Sequence, residues 1–118
     1  MTKRKAERLT GYEIRRMESE GKNGRFRFGA FRGEENVAEG DHRIESWALW
    51  FLVRAVYVVH CGIVLERYGW RCSRCHEAKP LQIHHRCFRS HGGTHDLENL
   101  EPVCMDCHRE IHRRERSR

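Results

Sequence analysis

The apolar positions change rhythm several times along the chain, and each rhythm predicts an element. Thr10-Gly11-Tyr12-Glu13 has the spacing of a capping box. Ile14 and Met17, three apart, then predict a short helix that Gly21 would stop. Residues 21–40 are rich in glycine, and Arg25-Phe26-Arg27-Phe28 alternates with period two. That alternation predicts a half-buried edge strand with its phenylalanines inward. The competing reading is an Arg/Phe surface that stacks on bases or grips phosphates. Asp41 is placed to cap a long helix running from about His42 towards Tyr68.

Within that helix, Trp47 to Leu65 is apolar except for Arg54 and His60, and Gly62 is a point of bending. A membrane span needs about 18–20 nearly charge-free residues, and Arg54 inside the stretch argues against one. The segment is expected either as a buried helix or as one face of a homodimer interface. From Trp70 the texture turns to Cys, His, Arg and Gly. Gln82 to Phe88 reads as a strand, Gly92-Gly93 as a turn, and His108 to His112 as a helix ending in a frayed tail over residues 113–118.

Composition narrows the class. Of 118 residues, 38% are hydrophobic and 34% charged, so one domain with a small core is expected, of the kind that metal or disulfide staples. The net charge of +6 suits a polyanionic partner such as nucleic acid, or else a solvated basic surface. Ten Lys/Arg against seven Glu in residues 1–40, and six against two in residues 66–95, put the excess at the amino end and around the Cys/His region. No apolar stretch follows the basic Met1–Arg8 within signal-peptide range, which predicts a cytoplasmic chain with reduced thiols.

Six cysteines are present. Cys72-Ser73-Arg74-Cys75 and Cys104-Met105-Asp106-Cys107 are two CxxC knuckles, and two such turns complete a tetrahedral four-cysteine site with no open position. This predicts a structural Zn2+, with Cys61 and Cys87 as plain buried or free thiols. The 28 residues between the knuckles exceed an ordinary zinc-ribbon loop, so something else is built there. His84 and His85 are adjacent in the predicted strand and face opposite sides. His108 and His112 lie four apart on one helix face and can share one metal. Each signal is weak by itself. The knuckles bring residue 72 next to residue 107, and so hold the strand close to the helix.

The run Cys72-x-x-Cys75, His84-His85, Gly92-Gly93, Asn99-Leu100, Cys104-x-x-Cys107-His108 and His112, with the lead-in Val64 to Cys72, resembles the HNH endonuclease motif and its ββα-metal fold. The resemblance covers about residues 63–112. It implies that His85 is the general base and that Asn99 is the polar middle residue of the motif, fixing the loop or ligating metal. It implies that His108 is a catalytic-metal ligand, joined by His84 and His112 in a three-histidine set as in colicin-type members. The catalytic ion would be one divalent Zn2+, Ni2+, Co2+, Mn2+ or Mg2+. The sequence departs from the pattern at His76, where glycine is common, and at Arg86-Cys87-Phe88.

The expected protein is therefore α+β: a ββα-metal nuclease module over residues 63–118 with a four-cysteine structural zinc, and a basic, helical extension over residues 1–62 packed on it as one compact domain. The expected function is metal-dependent hydrolysis of DNA phosphodiester bonds by water activated at His85, leaving 5′-phosphate and 3′-hydroxyl ends. Arg71, Arg74, Lys79, Arg86 and Arg89 are expected to hold flanking phosphates. The alternatives are a non-catalytic zinc-containing DNA-binding module and a membrane-associated protein built around residues 47–65.

Overall fold

A computed structural model describes residues 1–18 and 24–116. It divides into two compact units, Met1–His60 with Thr94–Asp96, and Cys61–Gly93 with Leu97–Arg118.

The first unit opens with helix α1, Lys3–Thr10, whose N-cap Thr2 accepts a hydrogen bond from the Lys5 N–H at 3.2 Å. Gly11 ends it in the left-handed conformation, φ 75°, donating to the Glu7 carbonyl. The expected capping box at Thr10–Glu13 is thus a helix end and not a helix start. The Thr10 hydroxyl turns back to the Ala6 carbonyl at 2.8 Å, and Glu13–Met17 is a strand, β1, with Ile14 fully buried. The expected stop at Gly21 lies outside the described residues, as do residues 117–118 of the tail.

Strands β1, β2 (Phe26–Arg32) and β3 (Glu35–His42) form an antiparallel sheet in that order. The helical amino-terminal region expected from sequence is therefore a three-stranded sheet with helices before and after it. β2 is its central strand, not an edge. Phe28 and Ala30 point into the core, while Arg25 and Arg27 are engaged by Asp41 and Glu39 of β3. Asp41 accordingly pairs in the sheet, four residues before α2 starts. Helix α2 begins only at Glu45 and runs to Arg67.

One side of α2, Ala48, Leu49, Leu52, Val53 and Val56, forms the core of this unit with Ala6, Ile14, Phe28 and Ala30. β3 approaches α2 so closely at Gly40 that a Cβ there would land on the Ala48 carbonyl and the Leu52 backbone. By length and composition α2 could also cross a membrane.

A buried polar cluster completes the unit. His60 Nδ1 lies 2.6 Å from the His95 carbonyl, which can only accept, so Nδ1 carries the proton. Nε2 is then free to accept from the Tyr12 hydroxyl at 2.7 Å. The His95 N–H donates to the Leu9 carbonyl at 2.8 Å, and its ring lies 4.9 Å from that of Tyr57. Three residues between Gly93 and Leu97 are in this way built into the first unit.

In the second unit, α2 ends in a turn with Gly69 and Trp70 both at positive φ. The first knuckle, strand β4 (Leu81–His85), two short 3-10 turns, strand β5 (Leu100–Cys104) and helix α3 (Met105–Arg116) follow. β4 and β5 are antiparallel, with His84 opposite Glu101 and His85 opposite Leu100. The strand predicted over Gln82–Phe88 stops at His85, and β5, not among the predicted elements, is buried at all five positions. The core is Cys72, Val103 and Cys104, with Leu81, Cys107 and Ile111 packed against it.

Candidate metal centres and hydrolytic site

The first knuckle is a tight turn closed by the His76 N–H on the Cys72 carbonyl at 2.9 Å and tied to β5 by the Ser73 N–H on the Pro102 carbonyl at 2.9 Å. The second forms where β5 passes into the first turn of α3. Together they bring one sulfur each from Cys72, Cys75, Cys104 and Cys107 to within 4.8 Å of one another. Cys75 Sγ and Cys104 Sγ are 3.8 Å apart. Sulfurs about 2.3 Å from a tetrahedral zinc sit about 3.8 Å from each other, so the donor set fits such an ion.

The electrostatics agree. Burial pushes the Cys72 thiol up, but N–H groups of Cys75, Cys104 and Arg74, all within 3.5 Å of its sulfur, outweigh burial and bring it down to about 6. Cys107 goes the other way, pushed up to about 12 by its hydrogen bond with Cys104, by burial and by its bonds with Cys72 and Cys75. Four close sulfurs cannot all ionise without a cation between them. Of the remaining thiols, Cys61 is half-buried and Cys87 is exposed, and both are free, outside the four-cysteine cluster.

Alternation along β4 separates the histidine pair. His84 is 4% exposed and faces α3, where His108 and His112 lie one turn apart. One nitrogen from each of the three lies within 4.8 Å of the others. The His108 and His112 Nε2 atoms are 3.0 Å apart. Nitrogens about 2.0–2.1 Å from a tetrahedral ion are spaced roughly 3.3 Å apart, so these three imidazoles can hold one cation and leave a coordination position open.

Phe88, at the end of the predicted strand and a departure from the motif pattern, packs against this cluster. Its ring lies 5.2 Å from that of His112 and 5.5 Å from that of His84. Burial lowers the pKa of His84 and of His108; at His84 the Glu101 charge opposes this, and the neighbouring imidazoles lower both further, so the net direction favours neutral, ligating rings.

His85 stands outside the three-histidine cluster, half-buried at the end of β4. Its pKa is lowered first by burial, then by the Arg89 charge and by His84. Asn99 closes the long loop behind it. Its Oδ1 accepts from the Cys87 N–H at 2.7 Å, its Nδ2 donates to the Cys87 carbonyl at 3.2 Å, and its own carbonyl accepts from the Arg86 N–H at 2.8 Å.

Glu101 was not legible as a site residue, since its partners are 27 and 28 residues away. Its register opposite His84 puts both side chains on one face of the hairpin. It accepts from Ser73 Oγ at 3.0 Å and from Arg74 at 2.7 Å, and Arg86 lies 3.6 Å away. Burial alone would raise the Glu101 carboxyl, but the bonds from Arg74 and Ser73 and the guanidinium charges leave it below the usual carboxylate range.

The remaining basic residues are also engaged within the fold. Arg71 donates to the His76 carbonyl at 3.3 Å, Lys79 pairs with Glu77 at 2.7 Å, and Arg86 donates to the Tyr68 hydroxyl at 2.8 Å. Arg89 sits in the 3-10 turn after β4, where its charge is felt by His85.

No curated protein and no solved structure matches the chain. Residues 71–114, the stretch that supplies every member of both the cysteine and the histidine cluster, match the family model described as HNH endonuclease.

Proposed function

We propose that this protein is a metal-dependent endonuclease that hydrolyses DNA phosphodiester bonds, with His85 as general base. The observation that carries the reading is the convergence of His84, His108 and His112 on one point, inside the stretch that matches the HNH endonuclease model. The four cysteines would hold a structural zinc that fixes the hairpin against α3. A divalent ion held by the three histidines would supply Lewis-acid charge to the phosphate oxygens.

The chain's own residues do the rest. His85, kept neutral near pH 7 by burial and by Arg89, takes a proton from a water that attacks phosphorus. The P–O3′ bond breaks, the 3′ oxygen is protonated from solvent, and the phosphate stays on the 5′ end. Asn99 holds the loop that follows His85. Arg89, together with the exposed edges of Arg71, Arg74 and Arg86, contacts flanking phosphates. These contacts read charge and not base identity, so this segment supplies little sequence selectivity.

Supercoiled plasmid incubated with the purified chain, with and without divalent metal, tests the reading. Metal-dependent relaxed or linear product, lost in His85→Ala, is expected. Binding without cleavage under every metal would make the chain a zinc-containing DNA-binding module instead.

A further inference from the structure

We propose that the exposed face of α2 is a self-association surface, occupied by the same face of a second copy packed antiparallel about a two-fold axis between Arg54 and Ala55. At about 100° per residue, positions 47, 50, 51, 54, 58 and 62 share the side of α2 opposite its buried positions 48, 49, 52, 53 and 56. Trp47, Trp50, Phe51 and Val58 on this side are 51%, 45%, 39% and 59% exposed.

The bulk along the face is graded. The aromatic residues sit at its amino end, their rings already packed on one another at 5.5–6.4 Å between centroids. Val58 and Gly62 sit at its carboxyl end, with Ala55 at its margin, and a Cβ added at Gly62 would meet nothing within 4 Å. An isologous contact needs a face complementary to itself, and this gradient provides it. With the axis between residues 54 and 55, Trp47 falls opposite Gly62 and Phe51 opposite Val58, so each of these large side chains meets a small one, while Trp50 flanks the contact.

The area is adequate. Half-exposed aromatics of about 150–250 Å² each, with the neighbouring aliphatics, present on the order of 500 Å² per copy, in the upper range of the largest apolar patch of a monomer, a size that is often functional. Two copies then bury about 1,000 Å², the lower bound for a specific interface. Lipid is the weaker occupant. Arg54 lies midway along the face with its guanidinium 6.0 Å over the Trp50 ring, and the opposite side of the helix is filled by the core of the first unit.

Sedimentation velocity of the full, metal-loaded chain over two decades of concentration tests this independently of any nuclease activity. The parent should sediment as a dimer and associate more tightly at high salt, because the two Arg54 charges beside the axis are then screened. Val58→Glu should weaken association on the order of tenfold or more with the thermal transition and bound metal unchanged. Arg54→Leu should strengthen it. In a Cys61→Ser/Cys87→Ser background, Ala55→Cys should give a disulfide-linked dimer on mild oxidation. A monomer at every concentration, or a dimer indifferent to Val58→Glu, overturns the proposal. So does flotation with anionic vesicles that weakens as salt is raised, which would assign the face to a lipid surface.

Discussion

The Asn99 side chain brackets a single residue of the chain, accepting from the backbone N–H of Cys87 at 2.7 Å and donating to its carbonyl at 3.2 Å. Cys87 is two residues beyond His85, so these bonds hold the backbone just after β4, and the role proposed for Asn99 is to set how His85 is presented. Asn99→Ala should lower kcat for DNA cleavage on the order of 10²-fold with little change in KM, the usual consequence of a small misplacement of a reacting group. Asn99→Asp, which retains the acceptor, should recover part of the loss. If Asn99→Ala instead empties the catalytic metal site in a metal analysis, Asn99 is a ligand and not a positioning residue.

The base itself is testable by pH. Burial first, then Arg89 and His84, lowers the His85 pKa below 6.5, and a base works only when neutral. kcat/KM should therefore rise with pH through a midpoint below 6.5 and level off above it. Arg89→Ala, which removes one cause of the depression, should move the midpoint upward. A profile that is flat across this range would remove His85 as the titrating base. His85→Ala should cost about 10²–10⁴ in rate while DNA binding persists.

The four-cysteine site is expected to decide whether the second unit folds. The apolar cluster around the knuckles is only Cys72, Val103 and Cys104 with three more residues packed on it, and structural zinc can contribute on the order of 10 kcal/mol. Cys104→Ser, or prolonged chelation, should remove about one zinc per chain and abolish the cooperative thermal transition of this unit by calorimetry. A metal-free chain that melts cooperatively would show the cysteines to be ordinary core.

Metal preference follows from the ligand atoms. His84, His108 and His112 offer three nitrogens, which suit nickel, cobalt, zinc or manganese better than magnesium. Cleavage should thus reach half-maximum at lower concentrations of those ions. His84→Asp adds an oxygen ligand and should shift the preference towards magnesium or manganese with His85 unchanged. If the parent works best with magnesium and the substitution alters nothing, His84 does not ligate the ion.

His76 takes up the left-handed conformation, φ 62°, at the position where the sequence pattern commonly has glycine. A side chain there costs about 1–2 kcal/mol relative to glycine. His76→Gly should raise the unfolding free energy of the holoprotein by about 1 kcal/mol in denaturant titrations, since the hydrogen bond from its N–H to the Cys72 carbonyl is retained.

The two clusters were readable because their rules are short-ranged. A CxxC turn fixes two sulfurs, a four-residue step puts His108 and His112 on one helix face, and strand alternation sends His84 and His85 apart. The errors came where a local pattern was right and its context was not. Thr10-x-x-Glu13 has capping-box spacing, but Gly11 in the left-handed region makes it an ending.

β3 carried too little signal, since Glu35-Asn-Val-Ala-Glu-Gly-Asp-His42 lacks apolar alternation and is held by its ladder to β2 and by Arg25 and Arg27 on Asp41 and Glu39. Glu101 is the same problem at longer range. Nothing near it in sequence predicts a buried carboxylate whose partners are Ser73 and Arg74.

His95 has a bearing on ancestry and engineering. It lies inside the stretch that matches the HNH endonuclease model, yet its N–H, carbonyl and ring are taken by Leu9, His60 and Tyr57. A cassette cut at residue 63 and grafted onto another carrier would bring a buried histidine stripped of its receptors, with the Gly93–Leu97 bend untethered. Recombination that shuffles this segment as a free-standing part is therefore penalised. The two halves of the chain should be inherited, and redesigned, as one piece.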